Sequence, residues 1–109
     1  MVEQIVLSHL QYLENIVKYT EEHGEKPPTP EPTECSFGKW YYTTAKDNPA
    51  ISGHPKYEEL GELHKQFHAI TKEAVEASAA GDDSRAKALT SESFPLFGKI
   101  EHILLDMPE

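Results

Sequence analysis

The chain has 109 residues, 38% hydrophobic and 27% charged, enough for one domain with a single hydrophobic core and not for two. Its formal net charge of −9 argues against nucleic acid, whose phosphates need clustered Lys and Arg, and against an anionic membrane surface. No apolar run approaches the roughly 18–20 residues that span a bilayer, and Met1-Val2-Glu3-Gln4-Ile5 lacks the basic patch and apolar stretch of a secretory signal, so a cytoplasmic protein is expected.

Residues 2–23 read as a first helix, with Ile5, Val6, Leu10, Leu13, Ile16 and Val17 at helical spacing and Gly24 as its stop. Residues 25–32, Glu-Lys-Pro-Pro-Thr-Pro-Glu-Pro, form a semi-rigid polyproline connector, because repeated prolines remove backbone donors. Residues 33–45 carry β-favouring aromatics and threonines, but no second strand exists to pair with them. They are therefore read as a short second helix, with Thr33 as cap and Phe37, Trp40 and Tyr41 on one face. Asp47-Asn48-Pro49 and Ser52-Gly53 mark a loop.

Residues 55–80 predict the third helix, with Pro55 in its first turn and Tyr57, Leu60, Leu63, His64, Phe67, Ile70, Ala74 and Val75 as a broad apolar stripe. Gly81 ends it, and Asp82 or Asp83 caps the next. Residues 83–106 give the fourth, with Ala86, Leu89, Phe94, Phe97, Ile100 and Leu104 inward and Pro95 as an expected kink. The expected fold is all-α, an antiparallel four-helix bundle in one domain spanning residues 1–109. Its second helix is short, which leaves core that a second copy of the chain could cover.

The only cysteine, Cys35, excludes an internal disulfide, and six histidines make their positions informative. His64 and His68 stand four apart, on one face of a helix and within reach of a single ion. His9 lies beside the apolar stripe of the first helix, and Cys35 starts the second, where the positive helix end favours the thiolate. Together His9, Cys35, His64 and His68 offer zinc a tetrahedral N₃S set, a closed sphere with no position for an activated water. Each also has a plain structural reading. The histidines could be buried, hydrogen-bonded core residues, and Cys35 a small buried side chain. Copper or cobalt suits the same donors. His23, His54 and His102 read as ordinary helix-end, loop and surface residues, and Trp40, Tyr41 and Tyr42 as core or dimer contacts.

Cys35-Ser36-Phe37-Gly38-Lys39-Trp40-Tyr41-Tyr42 closely resembles the signature of the chemoreceptor zinc-binding (CZB) domain family: a cysteine, Phe-Gly-x-Trp and an aromatic or aliphatic pair. His9 and His64-x-x-x-His68 fit the rest of that pattern in the same order, and the resemblance runs from about Ser8 to the end of the fourth helix. It implies a four-helix bundle, commonly a symmetric homodimer, holding one zinc per chain through His9, Cys35, His64 and His68. It also implies a module of bacterial signalling that answers to zinc or to oxidation of the zinc-bound Cys35 by species such as hypochlorous acid. The chain departs from the family in its proline-rich connector and in Pro95, and no output domain is expected within it, as for a module acting in trans or a piece cut from a larger protein. The expected partners are a second copy and a signalling protein acted on in trans.

Other functions compete with the regulatory one. Zinc could only tie the bundle together, or the chain could buffer zinc. A di-iron enzyme would want inward Glu-x-x-His pairs, and the nearest approach, His54-x-x-x-Glu58, falls at a helix start. A cysteine-dependent enzyme would need an Asp or Asn orienting one histidine, and nothing local marks one. No catalytic residue is assigned.

Overall fold

A computed structural model describes residues 2–23, 27 and 35–107 of the chain. Among these residues the fold is all-helical, with no strand, and no helix is long and apolar enough to cross a membrane. Three long helices, α1 (Val2–Glu22), α4 (Tyr57–Ala79) and α5 (Asp83–Asp106), pack on one another. Between α1 and α4 runs an arm of shorter pieces. It comprises α2 (Ser36–Lys39), a π-helical stretch (Trp40–Ala45) and α3 (Pro49–Ser52).

The helix α1 buries Ile5, His9, Leu13, Ile16, Tyr19 and Thr20, a stripe of three- and four-residue steps. Leu10 falls off that stripe and is 38% exposed, so its expected inward place is corrected. His23 closes the helix in the left-handed region, at φ 53°. The Gly24 stop, the 25–32 polyproline connector and the Thr33 cap fall outside the described residues.

The second predicted helix is a compound element rather than one regular helix. Phe37, Trp40 and Tyr41 are buried on one face, as their spacing predicts. From Trp40 the turns widen to π geometry. The Thr43 hydroxyl donates to the Lys39 carbonyl, the acceptor that an α-helical Thr43 amide would use. The loop expected at 47–53 also holds a single helical turn. Asn48 caps it by accepting from the Ala50 amide (3.0 Å), and Pro49 sits in its first turn. Pro55 lies in the turn ahead of α4 and not in its first turn, since that helix begins at Tyr57.

The turn from α4 to α5 follows the sequence closely. Gly81 takes φ 85°, which a side chain would strain, and the Asp82 amide returns to the Ala77 carbonyl at 2.9 Å. Asp82 then caps α5 by accepting from the Arg85 amide at 3.1 Å. The helix α5 runs through Pro95 without a break. It buries Ala86, Thr90, Ser93, Ile100 and Leu104 at helical spacing. Phe94, expected inward, sits one position off that stripe and is 51% exposed.

The core has two parts. A large one joins Ile5, Leu13 and Phe67 to Phe37, Trp40 and Tyr41 of the arm and to Ile100, Ile103 and Leu104 of α5. A small one, further along the helices, joins Ile16 and Tyr19 to Ala74 and Val75. The arm packs only into the large part.

Candidate metal centre

The helix α1 brings His9 inward between Ile5 and Leu13. The helix α4 brings His64 and His68 inward between Leu60 and Thr71, and Cys35 arrives at the start of the arm. The four donor atoms lie within 4.8 Å of one another. All three imidazoles are buried, His64 completely, and Cys35 is partly buried. No other group of three or more His, Cys, Asp or Glu side chains suited to a metal occurs among the described residues. His54 lies in the turn before α4, where its Nδ1 accepts from the Lys56 amide at 3.1 Å. His102 faces outward. His23 lies at the far end of α1, 3.1 Å from Asp83 Oδ1.

The hydrogen bonds orient the donors. His9 Nδ1 donates to the Ile5 carbonyl one turn back (3.0 Å), so the neutral ring presents a lone pair at Nε2. His64 Nε2 lies 3.1 Å from that atom and 3.2 Å from Cys35 Sγ. One proton on His64 Nε2 cannot serve the whole cluster, whereas a cation between the donors serves every lone pair at once. Zinc bonds of about 2.0–2.1 Å to nitrogen and 2.3 Å to sulfur at tetrahedral angles put neighbouring donors about 3.3–3.6 Å apart. The two closest separations fall just short of that range and all four atoms lie within 4.8 Å of one another, so small side-chain shifts bring a chemically suitable donor set onto the metal.

Electrostatics favours the metal-binding form of the histidines. Burial pushes His64 down to about 2, and His68 and His9 beside it push the same way. Burial also lowers His9, against the Ile5 carbonyl that raises it. Neutral imidazoles are the species that coordinate. Cys35 corrects an expectation. Burial raises its pKa, and the amides of Gly38, Phe37 and Cys35 itself, with the Lys39 charge, only partly oppose it. The helix start is there, with the Gly38 amide 3.4 Å from Sγ, but one short turn does not outweigh desolvation. A metal at the site would displace a proton from this thiol.

Aromatic rings wall the cluster. Phe37 stacks on His64, with centroids 4.0 Å apart, and meets His9 edge-on at 5.5 Å. Tyr12 stacks on His68 at 5.4 Å. Thr71 spends its own proton on the Phe67 carbonyl (2.9 Å), so the Tyr12 hydroxyl donates to Thr71 Oγ1 (2.8 Å). Sequence reasoning missed Tyr12. Its signal was available, because it stands three residues after His9 and so on the same face of α1.

Among known families, residues 9–75 match the chemoreceptor zinc-binding domain, more than half of the chain. The match stops within α4 and does not run on to the end of the fourth predicted helix, yet it contains all four donors. No curated protein and no solved structure matches the chain. The family consists of zinc-binding signalling modules and is not a known enzyme family. With its N₃S donors gathered inside the matched span, the chain belongs to the chemoreceptor zinc-binding domain family, and zinc is its cofactor.

Proposed function

We propose that the protein is a zinc-dependent regulatory module whose single metal ion is held by His9, Cys35, His64 and His68. The observation that carries the reading is the convergence of four donors from three separate segments within 4.8 Å, in a buried setting that lowers the pKa of His9 and His64. Zinc, when bound, supplies the charge that holds the thiolate deprotonated and ties the arm to α1 and α4. The four residues fill a tetrahedral sphere, so the arrangement suits sensing better than hydrolysis.

Cys35 is the trigger in this reading, because thiolate sulfur is oxidised more readily than imidazole nitrogen. With an oxidant such as hypochlorous acid, the thiolate would take chlorine and release hydroxide, and water would then displace chloride and lose a proton, leaving Cys35 as a sulfenic acid. The arm then loses its ligand while the three histidines keep theirs. The arm serves as the fourth helix of a bundle, and a second copy of the chain or a signalling protein in the cytoplasm reads its displacement. Exposed Leu7 and Phe94, on α1 and α5, are apolar surface such a partner would cover.

Mass spectrometry under native and denaturing conditions tests the site directly. One zinc per chain is expected in native protein and none after denaturation, with occupancy reduced in Cys35→Ser. Protein that contains no metal and takes none up would overturn the reading.

A further inference from the structure

The face of α4 that carries the metal donors extends beyond them. Tyr57, Gly61, His64 and His68 follow one another at steps of four, three and four residues, which puts all four on one side of the helix. The arm lies along this face in the opposite sense. Cys35 Sγ meets His64 Nε2, Phe37 stacks on the His64 ring, and Tyr41 reaches Gly61 and Tyr57.

Four rings form one continuous stack from the cluster outward. His64 and Phe37 are 4.0 Å apart and inclined at 29°, Phe37 and Tyr41 5.3 Å apart at 17°, and Tyr41 and Tyr57 4.4 Å apart at 9°. The outer pair is bolted reciprocally. Tyr41 donates its hydroxyl to the Tyr57 carbonyl (2.7 Å), and Tyr57 donates its own to the Tyr41 carbonyl (3.0 Å). Gly61 makes room for this. A Cβ on Gly61 would stand 2.8 Å from Cζ of Tyr41 and closer still to its hydroxyl. Tyr41 is buried there and its ring stacks on both Phe37 and Tyr57, so a shift away from the clash disturbs those contacts. A glycine inside a 23-residue helix costs about 0.5–1 kcal/mol relative to alanine, a cost this contact explains.

We propose that Gly61 and Tyr41 are positioning residues for the metal centre: the gap at Gly61 receives Tyr41 and thereby sets the register at which the arm presents Cys35 to His64. The inference rests on the assignment of the four ligands above. Gly61 bears on Tyr41, and Tyr41 on Phe37 and Tyr57. Both act through Cys35, the one ligand that α1 and α4 do not themselves hold.

A double-mutant cycle isolates that action. Zinc affinity is measured by competition with a chromogenic chelator for the full chain, Gly61→Ala, Cys35→Ser and the double variant, with helix content checked by circular dichroism. Cobalt(II) spectra of the same proteins follow the thiolate-to-metal charge-transfer band, which reports Cys35 ligation separately from the histidines. Gly61→Ala is expected to weaken zinc by about 10- to 100-fold, the usual range for residues that support a ligand. It is also expected to diminish the thiolate band, and to change nothing further once Cys35 is serine. Equal losses in both backgrounds, or a full thiolate band in Gly61→Ala, would overturn the inference while leaving the ligand assignment intact. Original protein that binds neither zinc nor cobalt would overturn the assignment itself, and the inference with it. Should Gly61→Ala not fold, Tyr41→Leu, which removes the ring and its bond to Tyr57 without crowding α4, takes its place in the cycle, with the same losses expected and the same results overturning the inference.

Discussion

The two ends of the α1–α4–α5 stack are held by different means. At the end near the α4–α5 turn, everything that binds is local or wet. Gly81 turns the chain, Asp82 caps α5, and His23 closes α1 against Asp83 (3.1 Å) and Ser78 (3.4 Å) at the surface. The core beneath is small and apolar, built from Ile16, Tyr19, Ala74 and Val75. At the other end the largest side chains of the protein surround buried nitrogen donors that face one another. One end satisfies its polar groups with the chain's own atoms. The other gathers lone pairs that call for a cation. The capped turn and the donor cluster are thus set apart along the helices, and the proposed response belongs to the second.

Chelation puts the largest strain on that separation. Structural zinc in small domains is worth on the order of 10 kcal/mol of folding free energy. Its removal is expected to abolish hydrogen-exchange protection around residues 5–13, in the arm and over 57–68, while 74–90 keep theirs. Exchange mass spectrometry with and without chelator checks this. Loss of protection in both halves together would mean that zinc is purely structural and that nothing is left folded to carry a signal.

Acid probes the same contrast in metal-free protein. The pKa of His64, and that of His9 in the same direction, is lowered on folding, so the unfolded chain binds more protons below its ordinary histidine value of 6.5. The stability tied to these neutral rings is therefore complete above pH 6.5 and is lost as pH falls below it. Each ring contributes up to about 1.4 kcal/mol per pH unit in that window. Urea unfolding of chelated protein at a series of pH values reads the slope. A flat profile between pH 6.5 and 4.5 would mean that the histidines are not buried neutral in the metal-free state.

Much of this was legible in the sequence, and the exceptions have physical causes. The helix from Asp83 to Asp106 was set by Gly81, Asp82 and an apolar period, all local signals. The grouping of His9 with Cys35, His64 and His68 followed from the family resemblance of the cysteine motif and His-x-x-x-His, and the structure brings the four together; spacing alone left His9 as a core histidine. The π-helical stretch was not legible, since the aromatics and threonines of residues 40–45 read as strand or as ordinary helix on propensity alone. Phe94 misled because hydrophobicity alone does not tell which of two adjacent positions lies on the stripe, and here the buried one is Ser93. The direction of the Cys35 shift was misjudged because burial is a tertiary quantity. The helix start was visible in the sequence, and the desolvation that outweighs it was not.

The smallest effect sharpens the comparison from the quiet end. Asp82 accepts one hydrogen bond, from the Arg85 amide, and touches nothing in the metal centre. Replacing an N-cap aspartate with alanine removes that acceptor and its favourable charge at the helix start, which costs about 1 kcal/mol. Asp82→Ala should lower the unfolding free energy by that amount in zinc-loaded and chelated protein alike, as denaturant titration reads it, and leave zinc affinity unchanged. The equality matters more than the size. A capping bond outside the metal's reach contributes the same whether or not the metal is bound. A variant whose zinc affinity fell as well would show that the α4–α5 turn is coupled to the donors through α4, and the two ends would then respond as one.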